Sequence, residues 1–229
     1  MIRAAAFFDL DRTFMRGSSA LALAGAFRER GLITRRQLVK AAFWQLFFTA
    51  RGAGAGAVSD GLQDGLQLLR GVHQAEIEEL AVAAVEPVLR PLVYPEALEL
   101  VARHQAVGER VYLVTATLQE IVEPLASALG LDGAIGSLGE VGPDGRFTGR
   151  VVRACHGAGK AAAVQELGVD LEASTAYTDG SADLPLLEAV GHPVAVNPDR
   201  ELRSVAVARD WQVLEFRRPR RRPALRALG

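Results

Sequence analysis

Three short apolar runs, each ending in polar residues, constrain the fold of this chain more than any other feature. Each run is long enough for one buried β-strand, and helix-like sequence follows the first two. Strands that alternate with helices form parallel sheets, and ligands bind where the carboxyl ends of those strands meet. We therefore predict an α/β fold with one shared site at that edge. The runs are residues 4–8, 110–114 and 174–177, and the polar residues that follow them are Asp9, Thr115, Thr178 and Asp179.

About a hundred residues separate the first two runs, and they contain almost no strand signal. Apolar residues at helical spacing predict helices over residues 19–30, 35–50, 74–88 and 95–106. The glycine-rich residues 52–56 interrupt this series and predict a flexible connection. Helices inserted at this place either cover the sheet or form a cap over the ends of its strands.

The fold prediction is a Rossmann-like parallel sheet flanked by helices, with an inserted α-helical cap. Residues 1–15 and 92–216 are expected to form the α/β core, and residues 16–91 the cap. Residues 217–229 contain six arginines and no acidic residue, so we predict a disordered basic tail.

The second half of the chain supplies the remaining elements of the sheet. Residues 133–152 have short alternating segments around Gly142-Pro-Asp-Gly145, and such a turn sequence predicts a β-hairpin. Residues 194–196, 200–209 and 211–216 are expected to complete the sheet as a strand, a helix and a strand.

Four acidic residues lie at the predicted ends of strands. Asp9 and Asp11 face the same way because residues two apart on a strand share a side, and Asp179 and Asp183 follow a later strand. A pair of acids in an ordinary turn would need no ligand, but several converging carboxylates repel one another unless a cation binds between them. Oxygen ligands of this kind favour Mg²⁺, which often completes its shell with phosphate oxygens.

Lys160 is unusual because the chain has 24 arginines and only two lysines. It lies in His156-Gly-Ala-Gly-Lys160, before a helix predicted over residues 161–167, where its charge and the backbone N–H groups suit a phosphate. The sequence argues against a nucleotide P-loop, because Ala154 stands where that motif has its first glycine and Ala161 where it has Ser or Thr. A catalytic or metal-binding role for Cys155 and His156 lacks a second cysteine or a clear partner.

In order and spacing, these motifs resemble those of the haloacid dehalogenase superfamily of phosphatases. That family has Asp-x-Asp-x-Thr after the first strand, Ser or Thr after the second, Lys before a late helix, and then an acidic cluster. The large helical insertion and the later hairpin resemble its phosphoserine-phosphatase-like branch. The matching residues are Asp9-Leu-Asp11-Arg-Thr13, Thr115, Lys160 and Asp179-Gly-Ser-Ala-Asp183.

The resemblance implies a magnesium-dependent phosphomonoesterase that forms an aspartyl-phosphate. Asp9 is the implied nucleophile, and Asp11 protonates the leaving group and then activates water. Mg²⁺ is implied to bind Asp9, the backbone carbonyl of Asp11 and Asp179. Asp183 is implied to orient Lys160 or a metal-bound water. The implied phosphate ligands are Thr115, Ala116 and Lys160, and the implied supporting residues are Thr13, Gly180 and Asp183.

Departures from the family pattern concern the substrate. Phosphoserine phosphatases place a glutamate where this chain has Ser18, and a neutral serine does not supply that charge to a substrate amine. Ala182 replaces a frequent asparagine, and Arg12 replaces a small residue and is expected to face the cap or the substrate.

We predict a small organic phosphate ester as the substrate, with a phosphoserine-like metabolite favoured. Phosphorylated amino alcohols or polyols, such as histidinol phosphate, are alternatives, as is a phosphotransferase or phosphomutase reaction. A non-catalytic phosphate-binding module is disfavoured because Asp11 beside Asp9 would hydrolyse an acyl phosphate that a signal must preserve.

Bulk properties argue against nucleic acid or membrane partners. The net charge is −1, and the apolar residues 41–50 are about half the length of a membrane-spanning helix. A single cysteine fits a reducing compartment, and no targeting segment is visible, so we predict a cytoplasmic protein. The sequence leaves the oligomeric state open.

Overall fold

The computed structural model describes residues 3–32 and 55–216. Within this described part of the chain, seven strands form one sheet in the order β4-β3-β2-β1-β5-β6-β7, and every neighbouring pair is parallel except β3 with β4. This arrangement confirms the predicted α/β class. The strands are β1 (Ala5–Phe8), β2 (Arg110–Leu118), β3 (Gly133–Val141), β4 (Phe147–Arg153), β5 (Thr175–Thr178), β6 (His192–Val196) and β7 (Gln212–Leu214).

Helices cover both faces of this sheet. Short π and 3₁₀ turns at Val85–Leu89 and Arg90–Leu92 follow the third helix, and another 3₁₀ turn, Ser181–Asp183, follows β5. In residues 3–32 and 55–216 the α-helices are α1 (Ser19–Glu29), α2 (Ala55–Leu68), α3 (Gln74–Ala84), α4 (Pro95–Ala106), α5 (Gln119–Ala128), α6 (Ala158–Gln165), α7 (Leu184–Glu188) and α8 (Arg200–Ala208).

Strand β1 lies at the centre of the sheet, and all four of its residues are buried. Ala6 and Phe8 belong to the core on one face, which also receives apolar residues of α1 to α5. Ala5 and Phe7 belong to the core on the other face, beneath α6, α7 and α8. A strand buried on both faces reads as a continuous apolar run, which is why the sequence marks β1 so clearly.

Most predicted elements between residues 55 and 216 are found within a few residues of their expected bounds. The hairpin around residues 142–145 is confirmed as β3 and β4, and the helix predicted over residues 95–106 is found with those bounds. The helix predicted over residues 74–88 ends at Ala84, where a π turn begins. The helix predicted at residues 161–167 begins earlier, at Ala158, so Lys160 lies inside its first turn.

The glycine-rich connection and the second strand differ from expectation. Helix α2 already begins at Ala55, so the end of the predicted flexible connection is helical. Strand β2 continues past Thr115 to Leu118, and its register against β3 is irregular between Val114 and Leu118. The helix predicted at residues 35–50, the start of the connection and the tail at residues 217–229 lie outside the described residues.

Candidate active site

A tight loop after β1 carries the Asp-x-Asp-x-Thr motif. The Asp9 N–H donates to Tyr177 O at 2.9 Å, and the Phe14 N–H donates to Asp9 O at 3.1 Å. These bonds fix the end of β1 against β5 and turn the chain back over the strand. Arg12 lies within this turn with a φ of 65°, a left-handed conformation that is uncommon for residues other than glycine.

Lys160 joins two of the predicted carboxylates. Its Nζ lies 2.5 Å from Asp9 Oδ1 and 2.6 Å from Asp183 Oδ2, and all three side chains are buried. Asp183 also accepts a hydrogen bond of 2.9 Å from the Thr178 hydroxyl. Charges removed from water are stable only when they are paired and hydrogen-bonded, and Lys160 supplies that pairing for Asp9 and Asp183.

The glycines before Lys160 explain how the helix end approaches the site. Gly157 has a φ of 52°, which favours glycine, and its N–H donates to Asp183 Oδ1 at 3.4 Å. A Cβ atom at Gly159 would lie 2.1 Å from the carbonyl oxygen of Ala154. The two glycines therefore allow the start of α6 to bring Lys160 close to the strand ends.

Asp179 is held by two residues of the Asp-x-Asp-x-Thr loop. Arg12 Nε lies 2.8 Å from Asp179 Oδ2, and the Thr13 hydroxyl donates to Asp179 Oδ1 at 3.3 Å. The Arg12 side chain is about half exposed, whereas the Asp179 side chain is only 9% exposed. Arg12 thus faces the acidic cluster.

Asp11 is held by the start of α1. Its Oδ1 accepts the Ser19 N–H at 2.8 Å, and the Ser19 hydroxyl shares a 2.8 Å hydrogen bond with the Thr117 hydroxyl. Ser19 and Thr117 were not among the predicted site residues. The sequence does place Ser19 at the start of an apolar helix, but its bond to Thr117 spans 98 positions and has no local signal.

Burial and mutual repulsion raise the pKa values of the acidic side chains. Burial is the largest effect at Asp9 and raises its pKa to about 6, although Lys160 acts in the opposite direction. Burial and then the charge of Asp9 raise the pKa of Asp179 to about 7, despite Arg12. Burial also raises the pKa of Asp11, against the N–H of Ser19. Burial therefore disfavours the charged forms of these carboxyl groups, even beside Lys160 and Arg12.

Lys160 remains charged within this cluster. Burial alone would lower its pKa, but the charges of Asp183 and Asp9 and their hydrogen bonds outweigh burial and raise the pKa of Lys160. A permanently charged ammonium beside Asp9 can bind an anion such as a phosphate oxygen.

The other predicted site residues lie around this centre. Thr115 is buried, and its Oγ1 accepts the Thr117 N–H at 3.2 Å. Ala116 follows within β2, and the Gly180 N–H donates to Thr178 Oγ1 at 3.4 Å. Ser18 immediately precedes α1 and makes no capping hydrogen bond with its side chain to any described residue.

Cys155 lies in the core beside this region. Its N–H donates to Ser137 Oγ at 3.0 Å, its Sγ donates to Ile135 O at 3.4 Å, and the residue is fully buried. Burial is the largest effect on the thiol and raises the pKa of Cys155 to about 11. A neutral, inaccessible thiol is a poor nucleophile, so Cys155 is a residue of the core.

The atoms expected to bind the metal are all oxygens, which is the type of ligand that Mg²⁺ prefers. Across residues 3–32 and 55–216, no three His, Cys, Asp or Glu side chains are placed to hold a metal ion. The expected set, however, contains only two carboxylates, Asp9 and Asp179, with a backbone carbonyl as the third ligand. Hard oxygen donors of this kind suit Mg²⁺.

The α/β fold brings a buried Asp–Lys–Asp centre to the ends of its strands. The sequence model of the haloacid dehalogenase-like hydrolases matches residues 6–188. The chain belongs to this family, which confirms the predicted membership.

Some of the relatives that match most of the chain carry phosphatase names. A probable phosphatase of Mycobacterium tuberculosis is 41% identical over 95% of this chain and 77% of its own length. A phosphoserine phosphatase of the same organism is 36% identical over 100% of this chain and 77% of its own length. A histidinol-phosphatase of Neisseria meningitidis is 30% identical over 93% of this chain and 98% of its own length. Together with the family, these relatives confirm the prediction of a phosphatase-type enzyme.

Solved structures share this fold. A protein of unknown function from Bordetella pertussis superposes with a TM-score of 0.77 and 31% identity, covering 93% of this chain and 99% of the other. A phosphoserine phosphatase in its apo form superposes with a TM-score of 0.62 and 19% identity, covering 94% of each chain. Within the described residues, no helix has both the length and the apolar character needed to cross a membrane.

Proposed function

We propose that this chain is a magnesium-dependent phosphomonoesterase that hydrolyses a small organic phosphate through an aspartyl-phosphate at Asp9. The observation that carries this proposal is the buried Lys160 ammonium between Asp9 and Asp183 at the carboxyl ends of the strands. Family membership supports the same assignment.

In the first step, a carboxylate oxygen of Asp9 would attack phosphorus and displace the alcohol. The pKa of about 6 leaves Asp9 mostly ionised at neutral pH. Asp11 would give its proton to the departing oxygen, and burial favours the protonated form that this role requires. The P–O ester bond breaks as the bond from Asp9 to phosphorus forms.

In the second step, Asp11 would take a proton from a water molecule that attacks the same phosphorus. The bond between Asp9 and phosphorus then breaks, which releases inorganic phosphate and restores both carboxyl groups. Dividing one difficult displacement into two is the usual gain of covalent catalysis.

The charge of the phosphoryl group would be offset by groups that already lie at this edge. Lys160, the Thr115 hydroxyl and the Ala116 N–H are assigned to phosphate oxygens, and Asp183 and Thr13 position Lys160 and Asp179. Mg²⁺ bound to Asp9, Asp179 and the Asp11 carbonyl would supply further positive charge toward the phosphate. Such electrostatic stabilisation is the main contribution to phosphoryl transfer.

We further propose that residues 16–91 act as a cap on the core formed by residues 1–15 and 92–216. The contact between the Ser19 N–H and Asp11 Oδ1 supports this division, because it ties the start of the inserted helices to the proposed acid and base. Movement of α1 would then alter both access to Asp9 and the surroundings of Asp11.

For the substrate, we propose a small phosphate ester related to phosphoserine, with histidinol phosphate as the alternative. Relatives named for each activity support the two choices. Ser18 and Arg12 remain the proposed specificity residues. The net charge of −1 and the single cysteine support a small-molecule partner and a cytoplasmic location.

The test is phosphate release from a panel of phosphorylated metabolites, with and without Mg²⁺ after chelation. Hydrolysis of one or a few amino alcohol phosphates that stops in chelator and returns with Mg²⁺ is expected. The Asp9→Asn variant, purified identically, measures contaminating phosphatase. Full activity in chelator would contradict the metal assignment, and transfer to an added alcohol in place of water would identify a phosphotransferase.

A further inference from the structure

Arg12 is placed over the acidic cluster by a strained and well-anchored backbone. Its φ of 65° would suit glycine better than a residue with a side chain. The Arg12 N–H donates to Gly17 O at 3.1 Å, and Asn197 Nδ2 donates to Arg12 O at 3.5 Å. These bonds fix the origin of the Arg12 side chain on both sides.

The carboxylate that Arg12 meets is also fixed. The Asp179 carbonyl accepts the Asp199 N–H at 2.8 Å, which holds the backbone of Asp179. Its two side-chain oxygens contact Arg12 Nε at 2.8 Å and the Thr13 hydroxyl at 3.3 Å. A metal ion that uses Asp179 must therefore compete with, or share, an oxygen that already has a partner.

The distribution of charge explains why Asp179 is paired with arginine. Lys160 forms ion pairs with Asp9 and Asp183. Asp179 is also buried beside the Asp-x-Asp-x-Thr loop, but it is not paired with Lys160. Arg12 is a cation that reaches Asp179 from the solvent side, with its own side chain 48% exposed. A half-exposed guanidinium can leave such a pair at low cost because water solvates it.

We propose that Arg12 is an internal counter-ion that holds Asp179 in the metal-free protein and competes with Mg²⁺ for that carboxylate. This inference rests on the proposed function, because it assumes that Asp179 binds the metal. Its consequence is that Arg12 lowers the affinity for Mg²⁺ while stabilising the metal-free fold. By linkage, a ligand that must break a native contact binds more weakly than it would without that contact.

The test compares Arg12→Gln with a matched control, Arg209→Gln. Glutamine removes the positive charge. Like arginine, it has a side chain, so the backbone strain of the left-handed conformation at position 12 is unchanged. Arg209 is exposed to almost the same degree, 47%, but pairs at 2.6 Å with Glu188, an exposed carboxylate outside the acidic cluster, so it controls for the loss of an exposed guanidinium. Mg²⁺ affinity is measured by isothermal titration calorimetry without substrate, at about pH 8 and low salt. Thermal unfolding is measured with chelator and with saturating Mg²⁺.

Arg12→Gln is expected to bind Mg²⁺ about two- to fivefold more tightly than the original chain, a change typical of losing a partly exposed ion pair. Its Tm should fall in chelator, and saturating Mg²⁺ should reduce that difference. Arg209→Gln should leave the Mg²⁺ affinity unchanged.

Unchanged or weaker Mg²⁺ binding by Arg12→Gln, with normal binding by the original chain, would overturn the inference and leave the proposed function intact. Absence of Mg²⁺ binding by the original chain would overturn the metal assignment as well as this inference.

Discussion

The Lys160 ammonium donates a 2.5 Å hydrogen bond to Asp9 Oδ1, although the two residues are 151 positions apart in the chain. The same ammonium lies 2.6 Å from Asp183 Oδ2. This buried bridge joins three parts of the chain, the loop after β1, the start of α6 and the turn after β5, and it defines the proposed phosphate site.

Replacing Lys160 with methionine should destabilise the protein strongly. Methionine keeps much of the volume but leaves Asp9 and Asp183 buried without their cation, and breaking a buried pair in this way costs about 3–5 kcal/mol. Urea denaturation at neutral pH measures the free energy of unfolding. Adding Asp183→Asn to the variant should recover part of the loss, and a loss below about 1 kcal/mol would contradict the assigned pairing.

The hydroxyl pair of Ser19 and Thr117 should couple α1 to the end of β2. A double-mutant cycle with Ser19→Ala and Thr117→Val should give a coupling energy of about 0.5–1.5 kcal/mol in the free energy of unfolding. Ser19→Ala retains the N–H that binds Asp11 but also removes the Ser19 hydroxyl from Asp11. That loss occurs with either residue at position 117, so the coupling energy reports the contact between the two hydroxyls. As a control, Ser19→Ala and Ser181→Ala should be additive, because the Ser181 hydroxyl instead donates to Glu201 at 2.9 Å. Additivity of the Ser19 and Thr117 changes would show that the bond is absent.

Gly159→Ala should displace the start of α6. The added Cβ would lie 2.1 Å from the Ala154 carbonyl oxygen, so the backbone that carries Lys160 must move. Overpacking of this kind costs about 1–3 kcal/mol, and phosphatase activity should fall as well. Gly65→Ala is the matched control, because nothing lies within 4 Å of its added Cβ and alanine favours a helix. Equal effects of the two changes would contradict the close approach.

Cys155 should react slowly with iodoacetamide in the native protein. Burial raises the pKa of its thiol to about 11, so the reactive thiolate is scarce at about pH 8 and the sulfur is inaccessible. Mass spectrometry should show little alkylation of the folded chain and rapid alkylation in urea. Equal rates in the two conditions would require an exposed, ionised thiol.

Much of this arrangement could be predicted from the sequence because its strongest signals are local. The apolar run of β1 is buried on both faces, the Pro-Asp-Gly turn encodes the hairpin, and Gly157 immediately precedes the helix that carries Lys160. Because the polar residues follow successive strands of a parallel sheet, the sequence also predicted that they lie near one another at the strand ends.

The contacts that sequence reasoning missed depend on tertiary geometry. Thr115 was expected to end its strand, but β2 continues irregularly to Leu118, and this extension brings Thr117 to Ser19. The pairing of Arg12 with Asp179 depends on a left-handed residue, a conformation that the sequence gives no reason to expect for arginine.

The central claim is that Asp9 carries the phosphoryl group, and trapping that intermediate tests it most directly. Asp11→Asn should retain attack on p-nitrophenyl phosphate, whose leaving group needs little protonation, but lose the base that activates water. The Asp11→Asn variant is mixed with this substrate, and the reaction is quenched in acid. The quenched protein is then treated with borohydride, which reduces an acyl phosphate to an alcohol. Peptide mass spectrometry should find homoserine at position 9, with a burst of nitrophenolate close to one per active site. A burst without modification of residue 9, or modification at another residue, would contradict the account.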